Sequence, residues 1–174
     1  MKHFLIVVDI QNDFVDGALG TKEAVEIIPN AVKRIEEFDG EIIVTYDTHT
    51  KDYLSSLEGK KLPVTHCIKD TYGWQLNEKI KTALKDKNYI TIEKPTFGSV
   101  ALPKVILEKS KGEDFDITLI GLCTDICVVS NALVLKANFT DKEIYVDSSC
   151  TAGVTVESHN AALKTMQMCQ INIL

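Results

Sequence analysis

The residues best suited to chemistry concentrate in Gly121-Leu122-Cys123-Thr124-Asp125-Ile126-Cys127-Val128-Val129. There a strand-like apolar run, Asp116 to Ile120, gives way to an apolar, helix-like run ending near Phe139. A cysteine at such a junction lies among backbone N–H groups without intrahelical partners, at the positive end of the helix dipole. That setting favours the thiolate, the nucleophilic form of the side chain. Cys127 is therefore the candidate nucleophile. Two charged residues occupy comparable positions. Asp9 closes the run Phe4 to Val8, where an acid is costly unless paired or partly wet. It reads either as a cap for the following turn or as a general base poised by burial. Lys94 closes a third run in Ile92-Glu93-Lys94-Pro95-Thr96-Phe97-Gly98. A lone lysine at a strand end is ordinary surface. Its interest is that Asp9, Lys94 and the Cys127 turn all fall at carboxyl ends of strand-like runs.

A second constellation offers metal chemistry. In Tyr46-Asp47-Thr48-His49, residues two apart on an extended chain point to the same side, and His66 follows in Leu62-Pro63-Val64-Thr65-His66-Cys67. One carboxylate and two imidazoles suit zinc, iron or manganese with positions left open for water or substrate, and they suit incidental loop residues equally. Asp52 and Glu58 are further candidate ligands in the same loop, and Cys67 is read as packing. His3 and His159 read as structural, Cys150 and Cys169 as small core hydrophobes. The spacing of Cys123 and Cys127 differs from that of zinc ribbons and thioredoxin-like pairs. No Gly-x-Gly-x-x-Gly follows the first strand, and neither a Walker loop nor a Gly-x-Ser-x-Gly elbow occurs.

The elements that must position these residues alternate regularly. Strands are expected at His3 to Asp9, Glu41 to Asp47, Tyr89 to Glu93, Asp116 to Gly121, Glu143 to Asp147 and Gln170 to Leu174. Helices are expected near Glu26 to Phe38, Trp74 to Leu84, Leu102 to Ser110, Ile126 to Phe139 and Val156 to Met168. Continuous rather than alternating apolar strands mark a parallel sheet covered on both faces. The pattern predicts a three-layer α/β/α, doubly wound domain with a six-stranded, mainly parallel sheet, spanning residues 1–174 without an internal boundary. Strand order 3-2-1-4-5-6 would set Asp9 and Cys127 across the crevice where the order reverses, which is where such sheets bind ligands. The non-periodic stretches Ile10 to Lys22 and Thr48 to Tyr72 begin at those same strand ends, so both read as functional loops.

Composition excludes several classes. A net charge of -6 argues against a nucleic-acid partner, which needs clustered Lys and Arg. The N-terminal apolar run stops at Asp9 and has no cleavage pattern, and no stretch approaches a membrane span. Five cysteines, an odd set without an export signal, point to reduced thiols and a cytoplasmic setting.

In combination and order, these residues resemble the isochorismatase-like cysteine hydrolases, and within them the nicotinamidases and pyrazinamidases. The resemblance rests on Val8-Asp9-Ile10-Gln11-Asn12-Asp13-Phe14, Asp47-x-His49, His66-Cys67, Lys94 in its place after a strand, and Gly121 to Val128. Asp147-Ser148-Ser149-Cys150-Thr151-Ala152-Gly153 also fits. It implies a triad in which Asp9 takes the Cys127 proton and later passes it to the leaving ammonia, while Lys94 balances charge. It implies a thioester intermediate, and an oxyanion held by the backbone N–H groups of Cys123 and Cys127 beside a non-proline cis peptide, Leu122–Cys123. Asp47, His49 and His66 would hold a divalent metal, zinc or else iron or manganese, with Glu58 matching the carboxylate that some members add. Phe14, Leu19 and Phe97 would enclose the substrate ring, and the chain would form homo-oligomers. One departure stands out: Leu62 and Pro63 occupy the region where the family commonly carries a Trp. Three activities follow as expectations. The first is hydrolysis of nicotinamide to nicotinic acid and ammonia. The second is hydrolysis of another small amide, carbamate or ureido compound, and the third is non-catalytic thiol or metal binding.

Overall fold

A computed structural model describes residues 1–174. Its strands are β1 (Lys2–Val8), β2 (Glu41–Asp47), β3 (Tyr89–Lys94), β4 (Phe115–Leu122), β5 (Ile144–Ala152) and β6 (Asn172–Ile173). They form one sheet in the order β3-β2-β1-β4-β5-β6, and every pairing is parallel. The helices in chain order are α1 (Asn12–Val15), α2 (Lys22–Glu26), α3 (Ile28–Glu37), α4 (Leu57–Lys61), α5 (Glu78–Leu84), α6 (Leu102–Ser110), α7 (Val129–Asn138) and α8 (Val156–Met168). None is long and apolar enough to cross a membrane.

The continuous apolar character of β1 has a direct cause. Phe4 to Val8 are wholly buried, and alternate side chains enter different layers. Leu5 and Val7 pack with Ile28, Ala31, Ile35, Ile80 and Leu84 from α3 and α5. Phe4, Ile6 and Val8 pack with Leu102, Ile106, Ala132, Leu135 and Met166 from α6, α7 and α8. A strand sandwiched this way has no polar face to show, which is why its sequence does not alternate.

Boundaries differ from the sequence reading where local chemistry intervenes. The expected helix from Trp74 begins only at Glu78, because the Asn77 side chain accepts a hydrogen bond from the Lys79 N–H and caps the helix there. β5 runs on to Ala152 through a register shift against β4 between Leu119 and Gly121, so it is longer than a periodic reading allows. β6 is only two residues long. The loop Thr48 to Tyr72 contains a 3-10 turn (Tyr53–Ser55) and α4, both too short to show periodicity.

β1 and β4 lie side by side, with Val8 in register with Gly121. Gly121 has φ +118, and a Cβ there would strike the Val8 carbonyl, so only glycine lets the two strand ends come this close. This is the point where the strand order reverses, and the chain leaves the sheet there toward Asp9 on one side and Cys127 on the other.

Candidate active site

Asp9 is the first residue past β1, with φ +46 and no exposed surface. A non-glycine residue in the left-handed region is uncommon and tends to occur where a side chain is being aimed. Its Oδ1 accepts a 2.6 Å hydrogen bond from Thr45 Oγ1 of β2. Its Oδ2 lies 2.6 Å from Lys94 Nζ in a buried ion pair. Lys94 is the last residue of β3 and is 2% exposed. Its ammonium also donates to Thr96 O at 3.0 Å, reaches Cys127 Sγ at 3.5 Å and stands 3.9 Å from Asp47 Oδ1. Three residues from the ends of β3, β1 and β4 thus meet.

The thiol belongs to a π-helical turn, Thr124–Val128, that precedes α7. The sequence placed the helix start at Ile126; the regular α-helix begins at Val129 instead. Val128 N–H reaches back to Cys123 O at 3.0 Å, and this wider turn carries Cys127 toward Lys94. The Leu122–Cys123 peptide is cis, and the Cys123 N–H meets no acceptor within the protein.

Electrostatics correct one expectation. Burial first, and then the charge of Asp9, push the Cys127 thiol well above its ordinary value, against the pull of Lys94. Both effects favour the neutral thiol over a preformed thiolate. Asp9 is itself raised by burial, opposed by Lys94. Burial acts to lower the Lys94 ammonium, but the carboxylates of Asp9 and Asp47 outweigh it and hold Lys94 charged. Cys123 has no comparable partners. Burial pushes its thiol up to about 12, with Asp125 and Asp9 adding to the rise.

Beside this centre lies the second cluster. One ligating atom each from Asp47, His49 and His66 falls within 4.8 Å of the others. Asp47 Oδ2 is 3.1 Å from His49 Nε2 and 3.5 Å from His66 Nε2, and Glu58 Oε1 lies 3.6 and 3.8 Å from the same two nitrogens. His66 Nδ1 lies 2.7 Å from Val64 O; donating there leaves Nε2 a lone pair facing the carboxylates. His49 Nε2 is buried without a directed hydrogen bond. A buried imidazole nitrogen without a partner, facing two carboxylates, fits a divalent cation. Asp52 does not join the cluster, because its exposed carboxylate accepts from the Thr50 hydroxyl. Cys67 is fully buried, with φ +46, and its N–H donates to Asp13 Oδ2 at 2.8 Å. Cys169 is exposed and not part of the core.

The two centres share a small cavity of about 40 Å³, lined by Phe14, Leu19, Leu62, Phe97, Cys123 and Ile126 with Asp47, Glu58, His66 and Cys127. A larger concavity beside Lys136 and Asn172 is open and polar and holds no nucleophile. Phe14, Leu19 and Phe97 all reach the expected cavity, and Leu62 contributes an aliphatic wall.

Sequence reasoning missed three supporting residues. Gln11 brackets Asp47: its Oε1 accepts from Asp47 N–H at 2.8 Å, and its Nε2 donates to Asp47 O at 2.9 Å. Asn131 donates to Cys127 O at 2.8 Å and Phe97 O at 3.2 Å, and accepts from Ser99 N–H at 2.9 Å. Tyr53 packs against both imidazoles. A buried amide inside an apolar helix was the one available signal for Asn131.

An α/β sheet that delivers an acid, a lysine and a cysteine to its switch point defines a class of buried-nucleophile domains. This chain belongs to one family of that class, the isochorismatase domain, whose pattern matches residues 3–173. It is 28% identical to a nicotinamidase of Schizosaccharomyces pombe, over 98% of this chain and 91% of that one. Nicotinamidase PncA from Bacillus subtilis superposes with a TM-score of 0.84 at 25% identity, covering 99% of both chains. A pyrazinamidase of Pyrococcus horikoshii in complex with zinc superposes with a TM-score of 0.81 at 25% identity, over 100% of this chain and 99% of that one.

Proposed function

We propose that this protein is an amide hydrolase that converts nicotinamide to nicotinic acid and ammonia through a Cys127 thioester. The observation that carries the reading is the meeting of Asp9 and Lys94 with Cys127, which lines a small apolar cavity also lined by Asp47 and His66 of the metal-binding cluster. The nicotinamidase relatives agree with it.

Because the resting thiol is protonated, attack and proton transfer are coupled. Asp9 takes the Sγ proton as sulfur bonds to the amide carbon, which turns the carbonyl into an oxyanion. The free N–H of Cys123 is one donor for that charge, the N–H of Cys127 the second, and one such donor contributes about 2.7–4 kcal/mol. Collapse breaks the C–N bond, and Asp9 returns its proton to the nitrogen, which leaves as ammonia. Water, giving a proton to Asp9, then cleaves the thioester and restores the thiol. Throughout, Lys94 keeps the buried Asp9–Cys127 pair from carrying uncompensated negative charge. Asp47, His49 and His66, with Glu58 at their edge, would hold a divalent ion, zinc or another of similar preference, supplying a coordination point for a ring nitrogen. Phe14, Leu19 and Phe97 would flank the ring.

The aliphatic Leu62 wall favours a second reading with the same triad acting on another small amide or a ureido compound. Ammonia release from nicotinamide, measured before and after chelation, separates the two. Nicotinamide turnover that falls on chelation and is absent in Cys127→Ala is the expected result. Normal turnover by Cys127→Ala would overturn the nucleophile assignment. A Cys127-dependent hydrolase that ignores nicotinamide and the chelator would favour the second reading.

A further inference from the structure

Tyr53 stands where the metal cluster and the apolar wall meet. It is 2% exposed, although it belongs to a three-residue 3-10 turn on the surface loop. Its ring centroid lies 4.6 Å from that of His49 and 4.9 Å from that of His66, with interplanar angles of 53° and 75°. The two imidazoles are themselves 4.9 Å apart. Tyr53 therefore forms a wedge behind both rings. Its hydroxyl donates to Leu62 O at 3.0 Å, and the same carbonyl accepts from Val64 N–H at 2.8 Å. Val64 O in turn lies 2.7 Å from His66 Nδ1. One side chain thus touches both imidazoles by packing, and reaches the cavity wall and the His66 backbone support by hydrogen bonding. α4 closes over it tightly: a Cβ at Gly59 would collide with the Tyr53 carbonyl.

We propose that Tyr53 is a positioning residue with two separable roles: its ring sets the imidazoles of His49 and His66 for a metal, and its hydroxyl sets Leu62 as a substrate-facing wall. This rests on the proposed amide hydrolase with a metal at Asp47, His49 and His66. The physical basis is that ligand rings must be held in orientation before the ion arrives, and residues that do so typically alter metal affinity about 10–100-fold. The hydroxyl bond, by contrast, bears on ground-state binding of the substrate and not on the reacting atoms. Its loss should raise KM and leave kcat alone.

The test uses the full chain, stripped with chelator, dialysed and titrated with Zn²⁺ against a competing indicator, with kinetics on the reloaded protein. Tyr53→Phe keeps the ring and removes the hydroxyl. It should bind Zn²⁺ within about 2-fold of wild type while KM rises roughly 3–10-fold at unchanged kcat, the size of one lost hydrogen bond. Tyr53→Leu removes the ring, and its Zn²⁺ affinity should fall about 10-fold or more. Leu62→Ala, which leaves Tyr53 in place, should raise KM without moving Zn²⁺ affinity. If Tyr53→Leu does not fold, Tyr53→Phe and Leu62→Ala still decide: a Zn²⁺ affinity loss in Tyr53→Phe, or a kcat loss with unchanged KM, would overturn the division of roles. Wild-type Zn²⁺ affinity in folded Tyr53→Leu would overturn the inference alone. Wild-type protein that fails to bind Zn²⁺ would overturn the metal reading beneath it as well.

Discussion

At the scale of single residues, the pairing of a buried acid with a buried thiol governs what the site can do. Asp9 is raised by burial more than Lys94 lowers it, and it works as a base only when ionised. Activity should therefore rise with pH through an acid limb lying above the ordinary carboxylate value of about 3.9. A kcat/KM profile locates that limb; finding it at or below the ordinary value would contradict the role given to burial. Asp9→Asn should lower kcat by about 10²–10⁴-fold, the usual contribution of a positioned proton acceptor, in a steady-state assay of ammonia release. Asp9 was legible as an acid closing an apolar run and Cys127 as a thiol at a strand–helix junction, whereas Lys94 stood out only by its place at a strand end and by the family resemblance. The protonated resting state of Cys127 was not legible. It depends on full burial and on the distance to Asp9, and neither follows from position beside a helix.

At the scale of elements, each strand end must be delivered to the same place. Gly121 allows β1 and β4 to converge, with φ +118 and no room for a side chain. Gly121→Ala should destabilise the fold by more than about 1 kcal/mol and reduce turnover, read by chemical denaturation and assay together. Asn131 joins α7 to the Phe97 loop, and truncating it leaves the Ser99 N–H, on a buried residue, without an acceptor. Asn131→Ala should cost about 1–3 kcal/mol and raise KM more than it lowers kcat, since Phe97 loses its tie to the Cys127 turn. Equal loss of kcat and kcat/KM with unchanged KM would place the effect on the nucleophile instead. The long strands were legible as continuous apolar runs and the long helices through their periodicity. The 3-10 turn, α4 and the π-helical turn were not, because one turn of chain has no period to detect.

At the scale of the whole molecule, the sheet is a rigid platform whose centre is β1. Ile6 is fully buried within the layer formed by α6, α7 and α8. Ile6→Ala should lower the unfolding free energy by about 2–5 kcal/mol in a denaturant titration and leave KM nearly unchanged. A large change in KM at small stability cost would mean that the platform is softer than its packing implies. The strand order could be anticipated, because alternating apolar strands and helices with right-handed crossovers leave few topologies open. Leu62 and Tyr53 show the limit of that reasoning. They are nine residues apart in an aperiodic loop, and only folding brings the hydroxyl of one to the carbonyl of the other.

By itself, the sequence determined the α/β class, the order of its elements and which polar residues would stand at strand ends, because these follow from hydrophobic period and local chain direction. Tertiary structure alone decided that Lys94 reaches both Asp9 and Cys127, that Asp52 stays out of the metal cluster, and that Gln11, Tyr53 and Asn131 hold the site in shape. Those outcomes depend on distances of a few ångströms between segments far apart in the chain, and such distances are set only when the two layers pack against the sheet.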